Sequence, residues 1–180
     1  MNKKVLILST SPRKNSNSEA LAEAFAKGTL ESGNDVEIIR MREKNVRFCT
    51  GCFACQKTGK CVIRDDMAEI VPKMEQADVL VFATPIYYYE MSGQMKTLLD
   101  RANPLFVADY RFRDVYFLSS AAEDEAFVPQ RALSGLEGWI ECFEKARLAG
   151  SVFGGGVTDA GEIEGHPALS KAYEMGKAIR

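Results

Sequence analysis

"VLILSTSPRKNSNSEALAEAFAKG", residues 5–28, contains the first two elements of the fold and the loop that joins them. Val5 to Leu8 is a short apolar run bounded by polar residues, the pattern of a buried strand. From about Ser18 to Ser32 the apolar residues return at helical spacing. The loop between them carries Ser9, Thr10, Ser11, Arg13, Lys14, Asn15, Ser16, Asn17 and Ser18, an unusual density of hydroxyls, amides and cations. A strand, a polar loop and a helix in this order form the opening unit of an α/β protein.

The same alternation continues along the chain. Further strands are expected at Val36 to Ile39, Val79 to Ala83, Val115 to Leu118 and Leu148 to Phe153. Helices are expected at about Met67 to Gln76, Gly93 to Asn103, Gln130 to Lys145 and Pro167 to Ile179. Right-handed crossovers then give a parallel sheet covered on both faces, a three-layer α/β/α architecture. Five strands in 180 residues suggest the flavodoxin-like order 2-1-3-4-5. Residues 1–180 are read as one domain with two insertions: a cysteine-rich segment at about 44–65, and the aromatic stretch "NPLFVADYRF" at 103–112. Ligands of open α/β sheets lie beyond the carboxyl ends of the strands, which directs attention to the loops after strands 1, 3 and 4.

Composition is that of an ordinary globular chain, with 46% hydrophobic and 27% charged residues. Lys and Arg number 23 against 25 Asp and Glu, for a net charge of −2, so no nucleic-acid or membrane-surface partner is expected. "MNKKVLILST" has too short an apolar run for a secretory leader, and no segment approaches a membrane span. A cytoplasmic location is expected. Four of the five cysteines fall within thirteen residues, which in a reducing compartment suggests metal, cluster or redox chemistry before a disulfide framework.

Ser16, Asn17 or Ser18 can cap the first helix, and Ser16 with Glu19 fits a capping box. Capping uses one side chain and leaves Ser9, Ser11, Arg13 and two of the trio unexplained. A phosphate at the helix N-terminus uses them together. The chain has neither GxGxxG nor GxxxxGK[ST] at this loop, so a dinucleotide pyrophosphate and a nucleoside triphosphate are disfavoured. A single terminal phosphate fits, with flavin mononucleotide (FMN) the natural candidate in this fold. Strand 3 runs into "ATPIYYYEMSGQMKTLLDR", residues 83–101. Tyr87, Tyr88 and Tyr89 cannot all face one core, because neighbours on an extended segment point to opposite sides. The stretch therefore offers an aromatic platform for a flat ring, or a packing or subunit surface.

Cys49, Cys52, Cys55 and Cys61 are spaced C-x2-C-x2-C-x5-C. Such spacing lets one loop wrap a compact iron-sulfur cluster. It also admits structural zinc, a redox-active dithiol, or a lid with free thiols. Asp65 and Asp66 stand where carboxylates favour a helix N-terminus, His166 where a cap or surface residue belongs, and Cys142 on an apolar helix face as a core residue. With a single histidine and no Ser-His-Asp set, cofactor redox chemistry is favoured over acid–base hydrolysis.

Taken in order, "SPRKNSNSEALA", "CTGCFACQKTGKCVIRDDM", "TPIYYYEMSGQMKTLLDR" and "GHPALSKAYEMGKAI" make the chain resemble the NADPH-dependent FMN reductase-like flavoproteins, particularly the iron-sulfur flavoprotein branch. The resemblance implies a flavodoxin-like fold, noncovalent FMN, and a homodimer or homotetramer in which a neighbouring subunit helps cover the flavin. It places Ser9, Ser11, Arg13, Ser16, Asn17 and Ser18 around the FMN phosphate. It sets Pro85, Ile86, Tyr87 and Tyr88 along the isoalloxazine, and Ser119, Ser120 and Ala121 on its other side, in a loop that departs from the usual threonine-containing version. In the iron-sulfur branch the four cysteines would bind a [4Fe-4S] cluster. The implied activity is an FMN-dependent oxidoreductase moving electrons from NAD(P)H to a small acceptor. The alternative is an electron carrier between ferredoxin and an unknown acceptor.

Overall fold

Val5, Leu6, Ile7 and Leu8 are all buried because both faces of their strand are covered. Alternation sends Val5 and Ile7 to one core and Leu6 and Leu8 to the other. In the computed structural model, which describes residues 2–180, this strand is β1 (Lys4–Ser9). It is followed by β2 (Asp35–Arg40), β3 (Val79–Tyr87), β4 (Glu90–Met91), β5 (Asp114–Ser120) and β6 (Arg147–Gly154). The helices are α1 (Asn17–Glu31), α2 (Ala54–Thr58), α3 (Met67–Gln76), α4 (Gly93–Arg101), α5 (Gln130–Ile140) and α6 (Pro167–Lys177).

The five long strands pair in parallel in the order β2-β1-β3-β5-β6, which is the expected 2-1-3-4-5 arrangement once the two-residue β4 is set aside. The sequence reading did not anticipate β4, which pairs antiparallel with the end of β3 through Ile86 with Met91 and Tyr87 with Glu90. Leu21 and Phe25 of α1 and Ala168 and Ala172 of α6 cover one face of the sheet. Met67, Ile70 and Met74 of α3, Met95 and Leu98 of α4, and Leu136 of α5 cover the other.

Helices α1 and α6 meet backbone to backbone: a Cβ on Gly28 would lie 2.0 Å from Tyr173 O, and one on Gly176 would lie 2.1 Å from Phe25 O. Helix α5 stops at Ile140, five residues before the expected end at Lys145, and a turn carries the chain into β6. This corrects the reading of Cys142: it sits in that turn and is exposed, not part of the core.

Glu19 ties the first helix to the end of β2. Its carboxylate accepts from Arg40 Nε and, at 2.7 Å, from Arg42 Nη1, while Glu19 itself is almost fully buried. Half of the expected capping box forms, since Ser16 Oγ accepts from Glu19 N at 3.2 Å but the Glu19 side chain turns to the arginines instead. Burial pulls the Glu19 pKa upward, but the hydrogen bonds and charges of Arg42 and Arg40 outweigh it, and the group titrates below its ordinary value of 4.5. A carboxylate with a depressed native pKa contributes stability that is complete above the unfolded value and is lost as pH falls through the native one. Glu19→Gln is therefore expected to cost about 1.5–3 kcal/mol near pH 7. The difference from the parent should shrink below about pH 4 in urea denaturation.

Candidate functional site

Four loops converge at the carboxyl end of the sheet. The first follows β1 and is held by its own polar groups: Ser16 Oγ caps α1, Ser11 Oγ accepts from Arg13 N at 3.2 Å, and Asn15 turns the chain with φ of 52°. Behind it lies a buried hydroxyl network. Thr10 Oγ1 donates to Ala83 O at 3.0 Å, and Ser92 Oγ lies 3.2 Å from both Thr10 Oγ1 and Thr84 Oγ1. Ser92 also caps α4 through Met95 N. One cluster of side chains thus fixes the loop after β1, the end of β3 and the start of α4 relative to each other.

The end of β3 folds back through Tyr88 and Tyr89, both with positive φ, 51° and 65°. Positive φ at both central residues is the geometry of a type I′ hairpin, normally given to Asn or Gly; bulky residues in that region are strained and concentrate at functional sites. Tyr88 is 98% exposed. Tyr89 hydrogen-bonds Glu123 at 2.9 Å and stacks on Phe127 at 6.0 Å between ring centroids, and the Glu123 carboxylate raises the pKa of its phenol. The loop after β5 is stitched to the one after β6: Ala121 N donates to Gly154 O, and Val157 N donates to Ala121 O at 2.9 Å. Gly155 passes so close that a Cβ there would lie 2.6 Å from Asp124 Cα.

Between these loops runs a cleft of about 150 Å³. Ser11, Arg13, Ser16 and Asn17 line one end, and Pro85, Ile86, Tyr87, Ser120 and Ala121 line the other. Through Ile86, Tyr87, Ala121 and Ala122 the cleft joins a wider mouth of about 370 Å³ that also takes in Tyr88, Tyr89, Glu123 and Val128. The remaining residues expected at the site, Ser9, Ser18 and Ser119, do not line the cleft: they are wholly buried, and their hydroxyls have no hydrogen-bond partner. Buried hydroxyls without partners cost about 1–3 kcal/mol each. One end of the cleft thus combines hydroxyls, a guanidinium and a helix N-terminus, a donor set suited to a phosphate. The other is lined largely by apolar groups, Pro85, Ile86 and Ala121 with the Tyr87 ring.

Val157, Thr158 and Ala160, which the sequence reading missed, supply the last wall. Their mark in the sequence is "GGGVTDAG", residues 154–161, a glycine-rich turn directly after a strand.

The cysteine insertion lies alongside. Cys55 is buried and its Sγ accepts from Asn103 Nδ2 at 3.0 Å, Cys61 is half-buried, and Cys49 and Cys52 are exposed. The Ala54 N–H and the Thr50 hydroxyl lower the Cys52 pKa. Among the described residues no three His, Cys, Asp or Glu side chains are gathered so as to hold a metal ion. As placed, the thiols do not form a cluster cage.

The insertion is anchored by an ion pair the sequence reading did not find. Arg101 donates to Asp65 at 2.6 and 2.8 Å and to Arg47 O at 2.6 Å, with both side chains fully buried. Burial raises the Asp65 pKa, but the bonds from Arg101, Arg47 N and Met67 N hold it below the ordinary carboxylate value. Asp65 Oδ1 accepts from Met67 N, the first residue of α3, while Asp66, at the N-cap position, makes no capping bond and accepts from Asn45 N instead. His166 caps α6, its Nδ1 accepting from Ala168 N.

The sheet order, with a cleft at its carboxyl end, defines a flavodoxin-like α/β fold. Residues 3–137 match the NADPH-dependent FMN reductase family, and the chain belongs to it. An iron-sulfur flavoprotein of Archaeoglobus fulgidus is 40% identical over 94 residues, 52% of this chain and 43% of that protein. The chain spans about half the length of the first curated relatives it matches. YwqN of Bacillus subtilis, provisionally named an NAD(P)H-dependent FMN-containing oxidoreductase, is 27% identical over 189 residues, covering 96% of both proteins. The structure of an NAD(P)H:quinone oxidoreductase from Methanothermobacter marburgensis superposes with a TM-score of 0.72 at 17% identity, covering 98% of this chain and 96% of that one. No helix among the described residues is long and apolar enough to cross a membrane.

Proposed function

We propose that the protein is an FMN-dependent oxidoreductase that takes electrons from a reduced nicotinamide and passes them to a small acceptor. The observation that carries this reading is the cleft itself, polar and cationic at one end and lined by Pro85, Ile86, Tyr87 and Ala121 at the other. Bound there, FMN would supply two-electron exchange with nicotinamide and one- or two-electron exchange with acceptors. Arg13, Ser11 and Ser16, with the N-terminus of α1, would hold the phosphate, and Pro85 to Tyr87 and Ser120 to Ala121 would sandwich the ring. The Thr10–Thr84–Ser92 cluster keeps the two ends in register and excludes water from behind.

Donor and acceptor would share the single wide mouth beside Tyr88, so they must occupy it in turn. Steady-state kinetics with NADPH or NADH and a quinone are expected to give parallel double-reciprocal lines; intersecting lines would show both substrates bound together and contradict shared occupancy. A second reading, a carrier between ferredoxin and another acceptor, draws on the names of the archaeal relatives and on the spacing of Cys49, Cys52, Cys55 and Cys61. Iron and acid-labile sulfide assayed on anaerobically purified protein separate the two. About four of each per chain would favour the carrier, whereas flavin without iron favours the oxidoreductase with a thiol-bearing lid.

A further inference from the structure

Residues 157–165 lie outside the stretch that matches the family, yet Val157, Thr158 and Ala160 among them line one wall of the cleft. The segment turns sharply at Gly156, Gly161 and Gly165, whose φ values are 70°, 84° and 77°. Much of its bonding is internal: Glu162 Oε2 accepts from Thr158 N at 2.6 Å and from Asp159 N at 2.9 Å. Ile163 roots its far end in the core against Gly154.

Asn17 and Arg13 bridge this segment to the loop after β1. Asn17 Nδ2 donates to Asp159 O at 2.9 Å, and its Oδ1 accepts from Ile163 N at 3.2 Å. Arg13 Nη1 adds a bond to Thr158 O at 2.8 Å. Asn17 is 7% exposed; its bond from Ile163 N is buried and its bond to Asp159 O partly so, whereas the Arg13 bond is exposed.

We infer that Asn17 is a positioning residue: it clamps the 157–165 wall onto the cleft, and it acts on flavin affinity through that wall and not through the phosphate. The sequence reading grouped Asn17 with the phosphate ligands. The geometry sets it apart from the serines: both ends of its amide bond the far wall, whereas the Ser11 and Ser16 hydroxyls bond within their own loop and helix start. Thr158 and Ala160 face the cleft on either side of Asp159, the residue Asn17 grips. Losing both bonds would let the wall drift while leaving the hydroxyl loop and its helix cap intact.

The inference rests on the FMN reading of the cleft, and its test keeps the two apart. Hydrogen exchange is measured on flavin-free parent, Asn17→Ala and Asn17→Asp, and each is then titrated with FMN and with riboflavin, which lacks the phosphate. Asn17→Ala is expected to raise exchange across 157–165 about tenfold and to weaken FMN and riboflavin by the same factor, also about tenfold. Asn17→Asp keeps an acceptor for Ile163 N but loses the donor to Asp159 O, and an intermediate rise in exchange is expected; because its carboxylate would also repel a phosphate, exchange and riboflavin affinity are its readouts, and they decide the matter if Asn17→Ala does not fold. Unchanged exchange in 157–165, or a loss confined to FMN, would overturn the inference. If the parent binds neither flavin, the FMN reading falls, and the exchange data still decide whether Asn17 clamps the wall.

Discussion

An Ala121→Trp variant is expected to fold normally and to lose at least about a hundredfold in flavin affinity, a loss of about 2.7 kcal/mol or more. Ala121 stands where the narrow cleft opens into its mouth and lines both. Its backbone is fixed on both sides, N–H to Gly154 O and carbonyl from Val157 N. A larger side chain therefore cannot withdraw by moving the strand end. Overpacking a closed core costs about 1–3 kcal/mol, but here the indole can enter the open mouth, so stability should change little. Circular dichroism and a urea midpoint would check the fold, and quenching of flavin fluorescence the binding. Parent-like affinity in a folded Ala121→Trp protein would place the flavin elsewhere.

Arg101→Met is expected to lower stability by about 3–5 kcal/mol, because it leaves the buried Asp65 carboxylate without its counter-charge. That is a large part of the roughly 5–15 kcal/mol by which a domain exceeds its unfolded state. Arg101 also holds Arg47 O, so one guanidinium gathers the two ends of the cysteine insertion, just before Cys49 and just after Cys61. Urea unfolding should show the loss, and proteolysis should cut the insertion first. Arg101→Met combined with Asp65→Leu removes both charges and is expected to recover most of the stability, since a buried pair replaced by apolar residues of similar size is often neutral. A single-variant cost below about 1 kcal/mol would mean that the pair is solvated in solution.

Much of this architecture was readable because parallel strands covered on both faces leave an unmistakable mark. Val79 to Ala83 and Val115 to Leu118 are continuous apolar runs, and each lies inside the strand observed. The hydroxyl loop was readable for a different reason: a helix cap explains one polar side chain, not six. What escaped notice depended on distance or on broken local rules. Asp65 and Arg101 are 36 residues apart and carry no local pattern that links them. The hairpin at Tyr88 and Tyr89 lacks the Asn-Gly or Asp-Gly signature that such turns display, so its strand β4 stayed hidden. Cys142 was misplaced because the apolar spacing of α5 runs on past the point where the turn at Ile140 ends the helix. The wall at 157–165 was overlooked because its cleft-lining residues, Val157, Thr158 and Ala160, are chemically plain.

Titration of the flavin-free chain with FMN and with riboflavin, followed by flavin fluorescence, tests the central claim most directly. Saturation at one FMN per chain is expected, with riboflavin bound about ten- to a hundredfold more weakly because charge-assisted bonds to the phosphate are worth about 1.5–3 kcal/mol. Arg13→Ala should narrow that gap. Equal affinity for the two flavins would contradict a phosphate site in the loop of residues 9–18, and no binding of either would contradict the flavin cleft itself.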